Sequence, residues 1–472
     1  MTTKKNILYR EKDIDAINEN IYKIMDEASK KQLETLEPTI KEFHEIMKDI
    51  MDFIKDKKRI VYGGYGLNIL IKNRNEEDVI YDYYKVADTE FFSYTPVTDI
   101  VELCDYLYKK GHKYVQAKDA GHAETYKIFV NFINVCDVSY MPKYIFDNMP
   151  TINEDGYLII HPHMMLLDKF RMFNNPMTAS WRFDKEVKRT NLILKYFPLV
   201  KIDCTLNKID FNNDILDFVR KNILTKYNRT IITGYYAYYY FMYKSKLEGD
   251  DEGIDLYVPY YDVICENLIK DGTSIYEDLK NEFGNDISFK EFYPFFQFHG
   301  RRISFYYKNK LILTLYDNFG LCYPYLYLEK KKLNISSFIL TLMYLMFLEF
   351  RYLINKEKID MKNHKCMISN MVEARYKFLD ENGLTVLDDT PFKDFVLTCI
   401  GKTIDPMRES RIDNIKKKEQ GKRFGFSYTP PKENNPNFDP TLVKFKNSSG
   451  NEIKNRKFRI LDGNNEEFDE EE

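Results

Sequence analysis

The chain contains no Cys-x-x-Cys. Its seven cysteines, at 104, 136, 204, 265, 322, 366 and 399, are scattered, with no histidine set beside them. That spacing argues against a zinc site and against a disulfide framework. An odd count also suits a reducing compartment. Net charge is nearly absent: 70 Lys and Arg against 73 Asp and Glu leave −3. No overall basic field draws in a polyanion, so any nucleic-acid path must be a local patch. The opening M-T-T-K-K-N lacks an apolar signal core. The most apolar stretch, residues 335–350, is short and ends at Glu349 and Arg351. It reads as a buried helix rather than a membrane span, so no membrane partner is expected. Tryptophan occurs once, against 38 Tyr and 34 Phe.

What is present suits an enzyme of more than one domain. The chain has 472 residues, 44% hydrophobic and 15% aromatic, which favours two or three domains with real cores. Residues 1–56 form an N-terminal helical segment. Ile14, Ile17, Ile21, Ile24 and Met25, then Leu33, Leu36, Ile40, Phe43, Ile46 and Met47, recur at helical spacing. They predict one or two amphipathic helices packing beside a sheet. Residues 57–200 form an α/β unit with following helices that split around Pro176. Residues 201–403 form a second domain. From 404 to 472 the chain is a basic, Pro- and Asn-rich extension with an acidic, disordered tail.

The chemistry sits in residues 58–141. A strand-like R-I-V-Y meets Gly63 and Gly64, and a helix-like run follows. A Gly-Gly turn at a helix N-terminus offers free N–H groups to phosphate. Further on, Asp88 and Glu90 lie two apart in V-A-D-T-E-F-F, and F-I-N-V-C-D-V-S-Y presents Asp137. Residues two apart in a strand share a face. A neighbouring strand would bring Asp137 to them. At about 4 Å and an effective dielectric near 20, each carboxylate pair costs roughly 4 kcal/mol. Such a cluster persists when divalent cations occupy it or when some groups protonate. Hard oxygen ligands suit Mg²⁺ or Mn²⁺, and the usual task is phosphate chemistry.

The order of turn, D-x-E, and later Asp resembles the nucleotidyltransferase superfamily of the DNA polymerase β type. The strings I-V-Y-G-G-Y, D-T-E-F-F-S-Y-T-P, V-C-D-V-S-Y-M-P-K-Y-I-F-D and I-I-H-P are similar to the poly(A) polymerase catalytic subunits of large cytoplasmic DNA viruses. The asfarvirus and mimivirus-like members are nearer than the poxvirus ones. The resemblance is strong over about residues 55–200 and weaker to about residue 430. It implies an α/β fold: a polymerase β-like nucleotidyltransferase domain and a second, degenerate nucleotidyltransferase-like C-terminal domain. It implies AMP transfer from ATP to an RNA 3′ end with two Mg²⁺ or Mn²⁺ ions. It also implies a homodimer or a viral processivity or capping subunit as partner, and work in the host cytoplasm, at the viral factory, or packaged in the virion. Where the family has D-x-D, this chain has Asp88-Thr89-Glu90, and the extra methylene moves one oxygen outward.

Within that frame Asp88, Glu90 and Asp137 are the catalytic and metal-binding acids. Gly63 and Gly64 bind phosphate, and Ser93 stands just past the acidic strand as a further phosphate contact. Arg182, Lys185, Lys188 and Arg189 share one helical face. Arg182, Lys185 and Arg189 are assigned to nucleotide. His161 and His163 flank Pro162 without a third soft ligand nearby, which favours structural hydrogen bonding. Residues 230–320 read as a faded copy of the acidic unit, with Gly234 for the turn, Asp255 and Asp317 as surviving acids and Tyr257 in the second-acid position. Two other readings stay open: another nucleotidyltransferase, such as an oligonucleotide synthase or terminal uridylyltransferase, and a non-catalytic RNA-processing scaffold.

Overall fold

The computed structural model describes residues 8–36, 38–121, 124–199, 201–203, 206, 213–227, 229–246, 258–318, 320–356, 361–402, 406–421, 425–431, 445–446 and 452–453. Helices α1 (Glu11–Thr35) and α2 (Ile40–Asp56) open it. A capping box starts α2: the Thr39 hydroxyl accepts the Glu42 N–H, and the Glu42 carboxylate accepts the Thr39 N–H at 2.7 Å. Phe43, Ile46, Met47, Ile50 and Ile54 are buried on this helix, which packs on the first sheet. α1 buries no residue, and Ile14, Ile17, Ile21 and Ile24 stay exposed. The expected packing beside the sheet therefore holds for α2 and fails for α1. Periodicity marks an apolar face but does not say what covers it.

The first sheet is built from β1 (Ile60–Tyr62), α3 (Gly63–Lys72), β2 (Thr89–Ser93), α4 (Pro96–Lys109), β3 (Gln116–Asp119), β4 (Thr125–Val130), β5 (Ile133–Tyr140), α5 (Lys143–Asn148), β6 (Thr151–Glu154) and β7 (Tyr157–Ile160). Its strands run in the order β3-β4-β5-β2-β1-β7-β6. Helices α6 (Pro162–Phe173), α7 (Pro176–Ala179) and α8 (Phe183–Tyr196) follow. After α9 (Asn213–Phe218) the second sheet begins: β8 (Thr230–Thr233), α10 (Gly234–Lys244), β9 (Tyr261–Cys265), α11 (Leu268–Phe283), β10 (Ile287–Phe292), β11 (Arg302–Tyr307), β12 (Lys310–Asp317), β13 (Tyr323–Leu328) and β14 (Leu333–Ser336). Its order is β10-β11-β12-β9-β8-β14-β13.

The two sheets repeat one another strand for strand. β1 and β2 pair antiparallel, as do β8 and β9. β2 and β5 pair parallel, as do β9 and β12. Even the irregularity recurs, after Ile128 on β4 and after Phe305 on β11. The expected repeat is thus real, but its register differs from the one read in sequence. Tyr62 faces Glu90 across β1 and β2, and Thr233 faces Asp262 across β8 and β9. Glu90 then faces Asp137, and Asp262 faces Thr314. So Asp262 is the counterpart of Glu90, Tyr260 of Asp88 and Thr314 of Asp137. Asp317 lies opposite Cys265, three residues past the third-acid position. Asp255 and Tyr257, assigned to acid positions from sequence, fall outside the described residues. Similarity of apolar strings set the first two acid positions five residues too early, because strand register is set by pairing and not by local composition.

Helices α12 (Phe338–Asn355) and α13 (Met361–Glu381) cover the second sheet. α12 is long and apolar enough to cross a membrane by length and composition. Here it is a core helix, with Met343, Leu345, Met346 and Phe347 buried and α6 and α13 packed against it. β15 (Cys399–Ile400) pairs with β13, and a disulfide joins Cys322 to Cys399. This overturns the expectation of no disulfide. The two cysteines are 77 residues apart, and only the β13–β15 pairing brings them together. The basic helix α14 (Pro406–Glu419) carries Lys416, Lys417 and Lys418. β16 (Ser427–Tyr428) then returns to the first sheet and pairs with its edge strand β3. Phe426 and Tyr428 are buried there, and the Tyr428 hydroxyl donates to Asp105 at 2.7 Å. A short ribbon, β17 (Phe445–Lys446) and β18 (Glu452–Ile453), completes the elements. Residues 422–424 of the basic extension and the acidic end lie outside the described residues.

Candidate active site

Strand β2 sets the site. Its residues Thr89, Phe91 and Ser93 point into the core and are buried. Glu90 points to the other face, and Asp88, one residue before the strand, shares that parity. The parallel register places Asp137 of β5 directly beside Glu90. The sheet therefore brings the three predicted acids to one face. Among the described residues, however, no three acid, histidine or cysteine side chains stand close enough to grip an ion as they are placed. Each carboxylate is turned onto a protein partner instead.

Glu90 accepts the Gly64 N–H at 3.1 Å. Burial, then the charge of Asp88, raise its pKa to about 7, while the Gly64 N–H and Lys169 pull it down. Asp137 accepts both contacts of the Lys127 ammonium, at 2.9 and 2.7 Å. The Asn134 amide bridges Asp137 and Asp88, donating at 3.0 and 3.1 Å. The donor set is all hard oxygen, which fits Mg²⁺ or Mn²⁺ once rotamers turn from these partners to an ion.

The turn that begins α3 lies against the acids. Gly63 has φ +71°, and a Cβ there would collide with the Glu90 carboxylate. A side chain at Gly64 would collide with the Arg189 guanidinium and the Tyr81 hydroxyl. The turn thus needs glycine at both positions, one for conformation and one for close approach. Arg189 donates to Tyr81 at 2.5 Å, which holds the guanidinium over the turn. Beneath it Glu186 is fully buried. Lys169 lies 2.9 Å from it as an ion pair without hydrogen-bond alignment, with Arg182 at 3.5 Å and Arg189 at 3.8 Å. Three cations around one carboxylate leave positive charge beside the N-terminus of α3, which suits a polyphosphate. Lys185 is part of the same field: burial and then Arg189 lower its pKa, and Glu90 raises it.

The predicted cation cluster therefore joins the acids through Arg189, with Arg182 and Lys185 along the same face. Lys188 turns away to an exposed pair with Asp184. Ser93 does not join. It is buried on the opposite face of β2, and its hydroxyl donates to Asp99 at 2.5 Å. Asp99 is also held by Arg59 at 2.6 Å, so the hydroxyl serves a structural ion pair. His161 and His163 are structural as expected: the His161 ring accepts the His163 N–H at α6, and burial lowers its pKa to about 4. Lys127, Asn134 and Tyr81 were missed from sequence. Tyr81 sits in the long segment between α3 and β2, which Asn68 pins by accepting the N–H groups of Ile80 and Tyr81 at 2.7 and 3.0 Å. No local motif marks any of the three: Tyr81 and Asn134 meet Arg189 and Asp88 from far along the chain, and Lys127 meets Asp137 through the register of β4 against β5.

Comparison with known proteins bears on the chain as a whole. Residues 48–179 match the family model for the poly(A) polymerase catalytic subunit. Residues 191–462 match the model for the C-terminal part of the mimivirus-type poly(A) polymerase catalytic subunit. A relative from Acanthamoeba polyphaga mimivirus, assigned as a poly(A) polymerase catalytic subunit, is 35% identical over 97% of this chain and 85% of its own. One from African swine fever virus, isolate Pig/Kenya/KEN-50/1950, with the same assignment, is 33% identical over 40% of this chain and 38% of its own. The crystal structure of the Megavirus polyadenylate synthase superposes with a TM-score of 0.85 at 34% identity, covering 96% of this chain and 94% of that one.

Proposed function

This chain belongs to the poly(A) polymerase catalytic subunit family, and from that premise we propose how residues 57–200 carry out its reaction. The enzyme adds AMP from ATP to RNA 3′ ends without a template. The RNA 3′-hydroxyl forms a bond to the α-phosphate of ATP, the α–β bridging bond breaks, and pyrophosphate leaves. The observation that carries the assignment of the site is the β2–β5 register, which sets Glu90 beside Asp137 on the face the Gly63–Gly64 turn closes.

Asp88, Glu90 and Asp137 are the residues that would hold two Mg²⁺ or Mn²⁺ ions, with Asp137 on the side of the attacking hydroxyl. Such ions supply charge neutralisation of the triphosphate and activation of that hydroxyl. The chain's own groups do the rest. The N–H groups of the Gly63–Gly64 turn receive phosphate oxygens, in place of the Glu90 oxygen that Gly64 now binds. Arg189, held by Tyr81, and Lys185 neutralise the β- and γ-phosphates and the departing pyrophosphate. Asn134 keeps Asp88 and Asp137 aligned. Much of the rate comes from positioning and preset charge.

Extension of a short RNA with each of the four NTPs, in Mg²⁺ and in Mn²⁺, tests the reading. Long products with ATP alone are expected. Equal use of UTP would make it a terminal uridylyltransferase, and no extension with any NTP would make it a scaffold. We further propose that the enzyme works in the host cytoplasm, at the viral factory, or packaged in the virion. Through the exposed Ile17 and Ile21 face of α1 it would engage a second copy or a processivity or capping subunit. Light scattering of the full chain and of an Ile17→Lys, Ile21→Lys variant separates the two: a mass change points to a second copy.

A further inference from the structure

Lys127 has no place in the reaction as described, yet it makes the closest contacts of any group to an active-site acid. It stands on β4 directly opposite Asp137 on β5. Its Nζ lies 2.9 Å from Oδ1 and 2.7 Å from Oδ2, so one ammonium occupies both oxygens that a cation would use. Asn134 holds Asp137 separately, through Oδ1 at 3.0 Å. The carboxylate would therefore keep its orientation if the ammonium were removed. The ammonium also sets a positive charge where a dication must arrive, and like charges at this range repel strongly in a half-buried site. Alignment of the acid and competition for it are thus divided between two side chains.

We propose that Lys127 is a positioning residue that competes with the divalent cation for Asp137. It occupies and neutralises the third acid in the ion-free enzyme, and it raises the cation concentration at which the site loads. The inference rests on the reading of Asp137 as a metal ligand. It also accounts for the way the acids are placed: with Lys127 and Asn134 on Asp137 and the Gly64 N–H on Glu90, the like charges are separated before any ion is bound. A site that is filled only above a set cation concentration follows from a built-in cation of this kind.

The test is a Mn²⁺ titration of the full chain without ATP or RNA, with free Mn²⁺ followed by electron paramagnetic resonance. Lys127→Met keeps the stem and removes the charge. It should lower the half-saturating Mn²⁺ concentration on the order of tenfold. Lys127→Arg keeps the charge and should stay near the parent. Lys127→Gln serves as a second uncharged variant should the Met variant fold poorly, as read by thermal melting. A side chain with a merely structural role would shift the melting temperature without moving the Mn²⁺ midpoint. Asp137→Asn separates the two layers of the argument. If it weakens Mn²⁺ binding while Lys127→Met and Lys127→Gln bind no more tightly than the parent, the competition is overturned and the metal-ligand reading stands. If Asp137→Asn binds Mn²⁺ like the parent, the metal-ligand reading falls and this inference falls with it.

Discussion

The two sheets have the same strand order, the same pairing senses and the same irregularity within the fourth strand, yet they treat the acid positions in opposite ways. The first sheet keeps Asp88, Glu90 and Asp137 half-buried, on groups that can yield. The second keeps one acid. Asp262 sits under Gly234 as Glu90 sits under Gly63, close enough that a side chain at either glycine would strike the carboxylate. Its neighbours have changed: Tyr260 and Thr314 replace the other two acids, and the positive fields of Arg351 and Arg302 act on it. Arg351 donates to the Tyr316 hydroxyl at 3.3 Å. Fixed guanidinium charge thus stands where the first sheet would use exchangeable cations. The backbone scaffold is indifferent to this choice; three side chains and two arginines decide it.

The largest expected effect falls on the acids themselves. Asp88→Ala or Asp137→Ala should cut nucleotide addition by about 10³-fold or more, with melting temperature little changed. Asp262→Ala should leave kcat within about twofold of the parent, as expected for a residue outside the chemistry. An RNA-extension assay on all three variants checks both halves, and a severe kcat loss in folded Asp262→Ala would break the contrast. Next comes the departure from D-x-D. Glu90→Asp should remain active, because the carboxylate stays on the same face. Glu90→Gln keeps the shape and the Gly64 contact but loses the charge two cations need, so extension should be nearly abolished. Parent-like activity of the Gln variant would remove Glu90 from the ligand set.

A smaller effect is expected at the turn. Arg189→Ala removes the guanidinium over Gly64 and leaves Glu186 with Lys169. KM for ATP should rise about tenfold, as for a lost charge-assisted contact, with less change in KM for primer. Steady-state kinetics with each substrate varied decides it. If primer KM rises instead, the cation stripe of Arg182, Lys185 and Arg189 belongs to the RNA path. RNA affinity would then lose part of its salt dependence in the variant.

Much of this site is legible in the amino-acid sequence. The three acids, the Gly63–Gly64 turn and the existence of a repeat all rest on short-range patterns: a period of two, a turn at a helix start, an apolar run around one acid. What the sequence does not reveal depends on pairing across distance. Ser93 reads as a phosphate contact because it follows Glu90, but strand parity turns it to the core and Asp99 captures it. Lys127 is placed by antiparallel register against a residue ten positions away. Cys322 and Cys399 meet only because β15 adds to β13. The second-sheet register fails for the same reason: Asp255 and Tyr257 sit in a string that resembles the acidic strand, while β9 begins at Tyr261.

The subtlest test concerns how the one acid of the second sheet answers to pH. Asp262 is fully buried, and desolvation raises its pKa from 3.8 to about 7 despite the opposing pull of Arg351, the Tyr316 hydroxyl and Arg302. A carboxyl whose folded pKa lies above its unfolded one holds a proton that the unfolded chain has already released. Its contribution to stability is fully present below about pH 4. It declines as pH rises and is lost through about pH 7. Asp262→Asn cannot ionise and has no such slope. Urea unfolding of the parent and the variant at pH 5 and pH 8 should therefore show the parent losing more stability than the variant between the two values. The extension rate, measured at one pH, should stay close to the parent's. Identical pH dependence in the two proteins would mean that Asp262 is already ionised at pH 5 and paired with Arg351. The second sheet would then hold a permanent ion pair at this position rather than a neutral acid, and Asp262 would part from Glu90, whose carboxyl burial also raises to about 7.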